Sequence, residues 1–461
     1  MNADPADLAV APARPPHLRE SAAVPADADV AADTAVSAGV AGPAAGEPGG
    51  SLGWRWIGRW WLVTRALTVF LLVPETFEVF GDIRYYLRNV TALLGGAGLD
   101  GTLPEYPVPS VGVFLVPRLV AGDHTRPYEW AFVALMLLVD AAFTAALWRA
   151  AGRRPAPGVR LWLWFLPALG PLTLCRLDLV PAVLAGGALI AVPRRPVLAG
   201  VLAALGAVVK LWPLAMVPAL WLHRPEPRGT GWPRGGRWTL LAGFAVVAAG
   251  AVLAVLAVAG PARLVSPLTW QSDRGLQLES YLALPLLVAD VFSPSHWHSE
   301  YTRFYAFEVV GPGVGVMLAL ASVAMVAAVA GLAMLWLRAA RPLWVRPAGT
   351  VPPAAVGLLA TGTVCLMIIT DKSFSPQYLI WLGALLAAMG VAAVDAETTR
   401  LNRLLLALAV LTQVVYPGMY GLLVNINPLA VVLVIARDAL LVLLAWVALR
   451  RFWTLTGRAA G

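Results

Sequence analysis

An all-α polytopic membrane fold is predicted by three observations: 59% of the 461 residues are apolar, only 13% are charged, and many of the 19 tryptophans flank long apolar runs. Soluble globular domains carry about 25% charged residues, roughly twice this share. Apolar runs of about 20 residues recur along most of the chain, the length a helix needs to cross the hydrocarbon core. The short alternating segments of a transmembrane barrel are absent. Trp60, Trp61, Trp130, Trp148, Trp212, Trp221, Trp238, Trp336 and Trp381 stand where an interfacial belt belongs.

Residues 1–50 are rich in Ala, Pro, Gly and Asp, and hold seven acids against two arginines. Such a segment buries too little apolar surface to fold, so a disordered acidic cytoplasmic tail is expected. It lacks the basic n-region and apolar h-region of a secretory signal. The remainder, 51–461, reads as one multi-span domain. Its first span is expected at 57–75, ending near Pro74. In the loop that follows, "GDIRYYLRNV" places Ile83, Tyr86, Leu87 and Val90 at helical spacing, which predicts an interfacial helix with Asp82, Tyr85 and Asn89 on its other side. "VPSVGVFLVPRLVAG" is too short and proline-broken for a full span, so an interfacial or re-entrant helix is expected there.

Spans are then expected at 129–148, 160–173 and 179–193, followed by a hairpin of two short helices over 196–222 with Lys210 at its tip. Further spans fall at 238–259, 311–337, 351–369, 377–394, 403–422 and 428–449, giving eleven or twelve crossings. Arginines cluster in "RAAGRRPAPGVR", at 194–195, and at 338–346, 400–403 and 450–458. The positive-inside rule puts these in the cytoplasm with both termini. Segments 75–128 and 260–310 and the motif "TDKSFSPQY" then face outward. The formal charge of +8 sits in short loops that set orientation, a pattern unlike a nucleic-acid-binding surface. Cys175 and Cys365 are too few and too far apart for a disulfide scaffold or metal cluster.

The outward charges are the candidates for chemistry. Asp82 opens a helix, where a carboxylate is favoured as a cap and by the dipole. Glu105 and Tyr106 lie in "LPEYPVP", which on its own reads as an ordinary loop. Arg176 and Asp178 stand between two apolar spans, as a turn-stabilising ion pair or as functional groups. Lys210, one of two lysines in the chain, sits in an apolar hairpin where it needs an anion or a watery cavity, unless it snorkels. "WQSDRGLQLESYLALP" supplies Gln271, Asp273, Arg274, Gln277 and Glu279, with a solvated amphipathic helix as its plain reading. "TDKSFSPQY" adds Asp371, Lys372, Ser375, Gln377 and Tyr378. His296 and His298 have no accompanying carboxylate pattern and read as loop histidines rather than metal ligands. Together these groups suit a lipid-borne phosphate beside a polar acceptor: Arg and Lys hold the phosphate, and a carboxylate takes a proton.

The ordered set "GDIRYY", "EYP", "RLDLVPAVLAGGALI", "KLWP", "GLQLESYLALP" and "SFSPQY" resembles the integral-membrane glycosyltransferases of the GT-C type. More narrowly, over about 57–450, it is similar to glycosyltransferase family 87, actinobacterial enzymes that use polyprenyl-phosphate mannose. The resemblance implies a GT-C-like helical bundle, a polyprenyl-phosphate sugar donor, inverting transfer to a lipid or glycan acceptor, and a catalytic aspartate in the first outer loop. On this chain that residue is Asp82. Arg176, Lys210, Arg274 and Lys372 are then the donor-phosphate candidates. Glu105, Tyr106, Asp178, Gln277, Glu279, Gln377 and Tyr378 are the candidates for sugar or acceptor. Many GT-C enzymes carry two adjacent acids in this loop, but here Ile83 follows Asp82, so a divalent metal stays open without an acidic pair to support it, and no other cofactor is indicated. The family also includes arabinofuranosyl transfer. A lipid-linked-sugar flippase is the competing reading, although no repeated halves are visible. A non-catalytic membrane scaffold would not need the outward acid–base set.

Overall fold

The computed structural model describes residues 50–72, 79–223, 236–345, 351–393 and 395–458. The expected tail lies outside the described residues apart from Gly50, as do the expected end of the first span at Pro74 and the arginine at 346. The rest is helical. The long elements are α1 (Gly50–Phe70), α2 (Gly81–Ala92), α3 (Ser110–Ala121), α4 (Thr125–Ala150), α5 (Pro157–Leu169), α6 (Leu179–Ala191) and α7 (Pro196–Val209). A short α8 (Val217–Trp221) precedes α9 (Gly236–Asp273) and α10 (Leu284–Phe292). Then come α11 (Val314–Val345), α12 (Pro353–Thr370), α13 (Leu379–Met389), α14 (Ala396–Gln413), α15 (Tyr420–Val424) and α16 (Pro428–Arg458).

Each expected span has a helix at its place, with the ends displaced most at α9. There Gly260, at φ +74°, kinks the helix beside Pro261, and a second segment continues to Asp273. By length and composition α4, α9, α11, α12, α14 and α16 can cross a membrane, while α3, α6, α7, α8 and α13 are shorter apolar helices. Helix length alone therefore does not fix the crossing count. The chain is an all-α polytopic membrane protein.

Polarity explains who sits where. Every residue of α13 is buried, as suits a helix apolar all round and enclosed by others. By contrast, α9 and α11 leave Val246, Leu253, Val258, Val323, Val326 and Met334 exposed, which lipid tolerates and water does not. Close helix contacts use glycine: an added Cβ on Gly200 of α7 would lie 2.0 Å from the Leu240 carbonyl oxygen of α9. A buried ion pair joins two of the helices. Arg65 of α1 pairs with Asp140 of α4 at 2.7 Å, and the carboxylate also accepts the indole N–H groups of Trp61 and Trp162, so neither ion is left unsatisfied.

One expectation is corrected. "WQSDRGLQLESYLALP" is not an amphipathic helix: α9 ends at Asp273, and 274–283 runs through turns and an extended piece. Segment 260–310 also carries strand: β1 (His298–Tyr301) and β2 (Phe307–Val310) form an antiparallel hairpin. The two features explain each other. The Leu276 carbonyl accepts from Val309 N–H at 2.8 Å and Leu278 N–H donates to Phe307 O at 2.9 Å, so the extended piece lies along the hairpin. Leu276, Leu278, Leu287 and Val309 form a second small core with Val431 and Val434 of α16. His296 lies in the turn before the hairpin and His298 opens β1.

Candidate active site

Six connections meet around one cavity of about 730 Å³. They join α1 to α4, α5 to α6, α7 to α8, α9 to α11, α12 to α13 and α14 to α16. These are alternate connections of an up-and-down bundle, so they share one end of it.

Helix α2 forms one wall. Ile83, Tyr86, Leu87 and Val90 are buried, as their spacing predicts, and Asp82 lies in the first turn. No side chain caps this helix. Asp82 instead pairs through Oδ2 with Arg176 Nε at 2.9 Å, and its side chain is 37% exposed toward the cavity it lines. Arg176 is buried: Nη1 donates to the Val79 carbonyl at 2.8 Å and Nη2 to the Tyr416 hydroxyl at 3.2 Å, while Nε, beside Asp82, makes no hydrogen bond among the described residues. It ties the start of α2 to the segment after α14. Arg176, a phosphate candidate by sequence, lines the cavity and pairs there with Asp82.

Lys210 lines the cavity at the tip of the helical hairpin. Its ammonium meets Asp178 Oδ1 at 2.7 Å and lies 5.4 Å from the ring centroids of both Tyr378 and Trp381. Asp178 also accepts from Trp381 Nε1 at 2.7 Å and is buried behind the lysine rather than on the wall. Thus the lysine in the apolar hairpin finds its anion within the chain, inside an aromatic cage. Lys372 is away from the wall. Its Nζ donates to the Ser272 and Arg274 carbonyls at 2.7 and 2.6 Å, where it staples the end of α9.

Arg274 does line the cavity, and its buried Nε has no hydrogen-bond partner among the described residues. Exposed Arg88, one turn and a half beyond Asp82 on α2, joins it on the wall. Gln277, Gln377 and Tyr378 are also at the wall, and the buried Gln277 Oε1 has no partner among the described residues. Glu105 and Tyr106 lie opposite, with the Tyr106 hydroxyl 3.2 Å from that of Tyr86. Burial pushes the Glu105 carboxyl above the usual carboxylate range, and the neighbouring Tyr85 hydroxyl offsets part of that rise.

Two supports were not anticipated. Arg263 of α9 is buried and holds the "LPEYP" loop through the carbonyls of Leu99, Thr102, Leu103 and Tyr106, at 3.0 to 3.1 Å. Arg437 of α16 grips Glu279 from behind, with Nη1 2.5 Å from Oε2 and Nη2 3.0 Å from the Glu279 carbonyl, while Nε donates to Asp438. An arginine–aspartate pair inside an apolar run was a readable signal, since ionisable groups at membrane depth are costly.

Among the described residues, no three His, Cys, Asp or Glu side chains come together as a metal site. No curated protein and no solved structure matches the chain. The model of glycosyltransferase family 87 matches residues 105–351. Arg176, Lys210, Arg274, Gln277 and Glu279 lie within that stretch, and Asp82 precedes it. As the match covers more than half of the 461 residues, the chain belongs to glycosyltransferase family 87.

Proposed function

We propose that the chain transfers a hexose, mannose foremost, from a polyprenyl-phosphate donor to a lipid or glycan acceptor on the outer face of a cell membrane, with inversion. The observation that carries this reading is the state of the three carboxylates lining the cavity. Glu279 is bound to Arg437, and Glu105 is half-buried beside the Tyr85 hydroxyl. Asp82 pairs with Arg176 through Oδ2, and no hydrogen bond to Oδ1 is present among the described residues, which leaves Oδ1 for an acceptor hydroxyl. As that hydroxyl oxygen attacks the anomeric carbon, Asp82 takes its proton and the bond from the anomeric carbon to the phosphate oxygen breaks. One base suffices for such a displacement, because a phosphate leaving group departs without a general acid where fixed cations meet its charge.

Those cations are Arg274 and Arg88, wall arginines with no ion pair among the described residues, in place of the larger set read from sequence, of which Arg176 and Lys210 on the same wall are paired to Asp82 and Asp178. Arginine suits the role because its planar fork pairs with two phosphate oxygens. An apolar groove of about 300 Å³ between α3, α4 and α6, lined by Pro109, Val113, Val116, Leu135 and Val180, gives an isoprenoid chain a seat a few residues from Tyr106. The arginine-rich turns at 149–154 and 194–195 fall at the bundle end opposite the cavity, which supports an outward-facing site.

Replacing Arg274 and Arg88 together by Ala is expected to raise the donor KM about 10- to 100-fold, the worth of one or two hydrogen bonds to a charged group. The acceptor KM is expected to move far less. Initial rates with purified protein and polyprenyl-phosphate mannose check this, and an unchanged donor KM would remove these arginines from the site.

A further inference from the structure

The β1–β2 hairpin carries aromatic rings to the mouth of the cavity. Residues 302–306 join the strands, and Tyr301, Phe304 and Tyr305 line the wall. Tyr305 lies 4.4 Å from Tyr85 of α2, centroid to centroid, with the rings 48° apart. Phe304 meets Trp270 of α9 edge-on at 5.1 Å and 82°. Arg303 ties the turn to α9 through Asp273 at 3.6 Å, and its guanidinium lies 4.8 Å above the Phe304 ring. Despite these contacts Tyr301 and Tyr305 remain 57% and 51% exposed. Tyr305 also holds φ +54°, a left-handed backbone that disfavours a bulky residue and is maintained here by its surroundings.

Wet aromatic faces beside polar groups have a definite chemical complement. A pyranose ring offers an apolar C–H face to an aromatic ring and a rim of hydroxyls to polar side chains. Arg88, Gln271 and Gln377 share the wall with these rings. An isoprenoid chain asks for the opposite, a continuous dry aliphatic lining, which the α3–α4–α6 groove supplies. We propose that Phe304 and Tyr305 of the hairpin, with Tyr85 and Trp270 facing them, form a binding subsite for a sugar ring of the acceptor glycan. This rests on the reading of the cavity as a glycosyl-transfer site. The subsite selects a glycan acceptor over a bare lipid alcohol, and Phe304 and Tyr305 contribute affinity rather than chemistry.

The test is equilibrium binding without donor, on the full chain in nanodiscs. The probes are the methyl glycosides of mannose, glucose and galactose and a methyl mannobioside, with farnesyl phosphate for comparison. At least one glycoside is expected to bind, with the mannobioside tighter than methyl mannoside. Phe304→Ala with Tyr305→Ala is expected to weaken it about tenfold, the combined worth of two aromatic contacts. Phe304→Tyr with Tyr305→Phe, which keeps both rings, is expected to bind as the parent does. Farnesyl phosphate binding is expected to be unchanged in the alanine variant. Glycoside binding equal in parent and alanine variant would overturn the subsite, as would binding of farnesyl phosphate but no glycoside. If no donor supports transfer while hairpin-dependent glycoside binding persists, the transfer reading falls and the subsite stands.

Discussion

Asp82→Asn is expected to slow sugar transfer by about 10²- to 10⁴-fold, the usual contribution of a positioned general base. The amide matches the carboxylate in shape but cannot take a proton from the acceptor hydroxyl. The fold is expected to survive, because Arg176 keeps its bonds to the Val79 carbonyl and the Tyr416 hydroxyl and Asp82 is partly exposed. Thermal unfolding of the variant close to that of the parent, together with lost turnover at saturating donor and acceptor, is the expected pair of results. Turnover within a few-fold of the parent would move the base elsewhere, and Glu105, the other wall carboxylate without an ion pair, would be the first to examine.

Arg437→Met is expected to destabilise the protein by about 3–5 kcal/mol, the loss when one partner of a buried ion pair is removed. Its guanidinium is wholly buried between Glu279 and Asp438, which are 1% and 3% exposed. Removing it leaves two carboxylates buried without their cation. It also frees the Glu279 carbonyl, so the 276–280 segment loses its anchor behind the cavity wall, and turnover is expected to fall with stability. Adding Glu279→Gln is expected to restore part of the stability, with a positive coupling in the double-mutant cycle. Thermal unfolding in detergent measures both; a neutral Arg437→Met would show that the cluster does not hold the fold together.

How much of this was legible in the sequence follows from which signals are local. Apolar run length gave the helices, and the interrupted run at Lys210 gave a helical hairpin with the lysine at its tip. Helical spacing gave the buried face of α2, because every residue in that pattern lies within ten of the next. The convergence of these loops on one place was also readable, since alternate connections of a bundle share an end. Partners were not readable. Arg176, Lys210 and Lys372 look alike in sequence as cations near a boundary, yet one holds Asp82, one holds Asp178 and one holds carbonyls. Arg437 reaches Glu279 across 158 residues, a pairing set by how α16 packs rather than by any local pattern. The β-hairpin was missed because "HSEYTRFYAFEVV" is short, and it is held partly by pairing with 276–278, a segment that itself reads as helical.

The account stands or falls on one reaction. Purified protein in nanodiscs is given polyprenyl-phosphate β-mannose and a soluble methyl mannobioside, and the product is analysed by mass spectrometry and NMR. The expected product is the glycoside extended by one hexose in α linkage, formed with loss of polyprenyl phosphate. A β-linked product would contradict the single-base displacement. No product, with movement of the labelled donor between leaflets in vesicles, would contradict transfer altogether and make the chain a carrier of lipid-linked sugar.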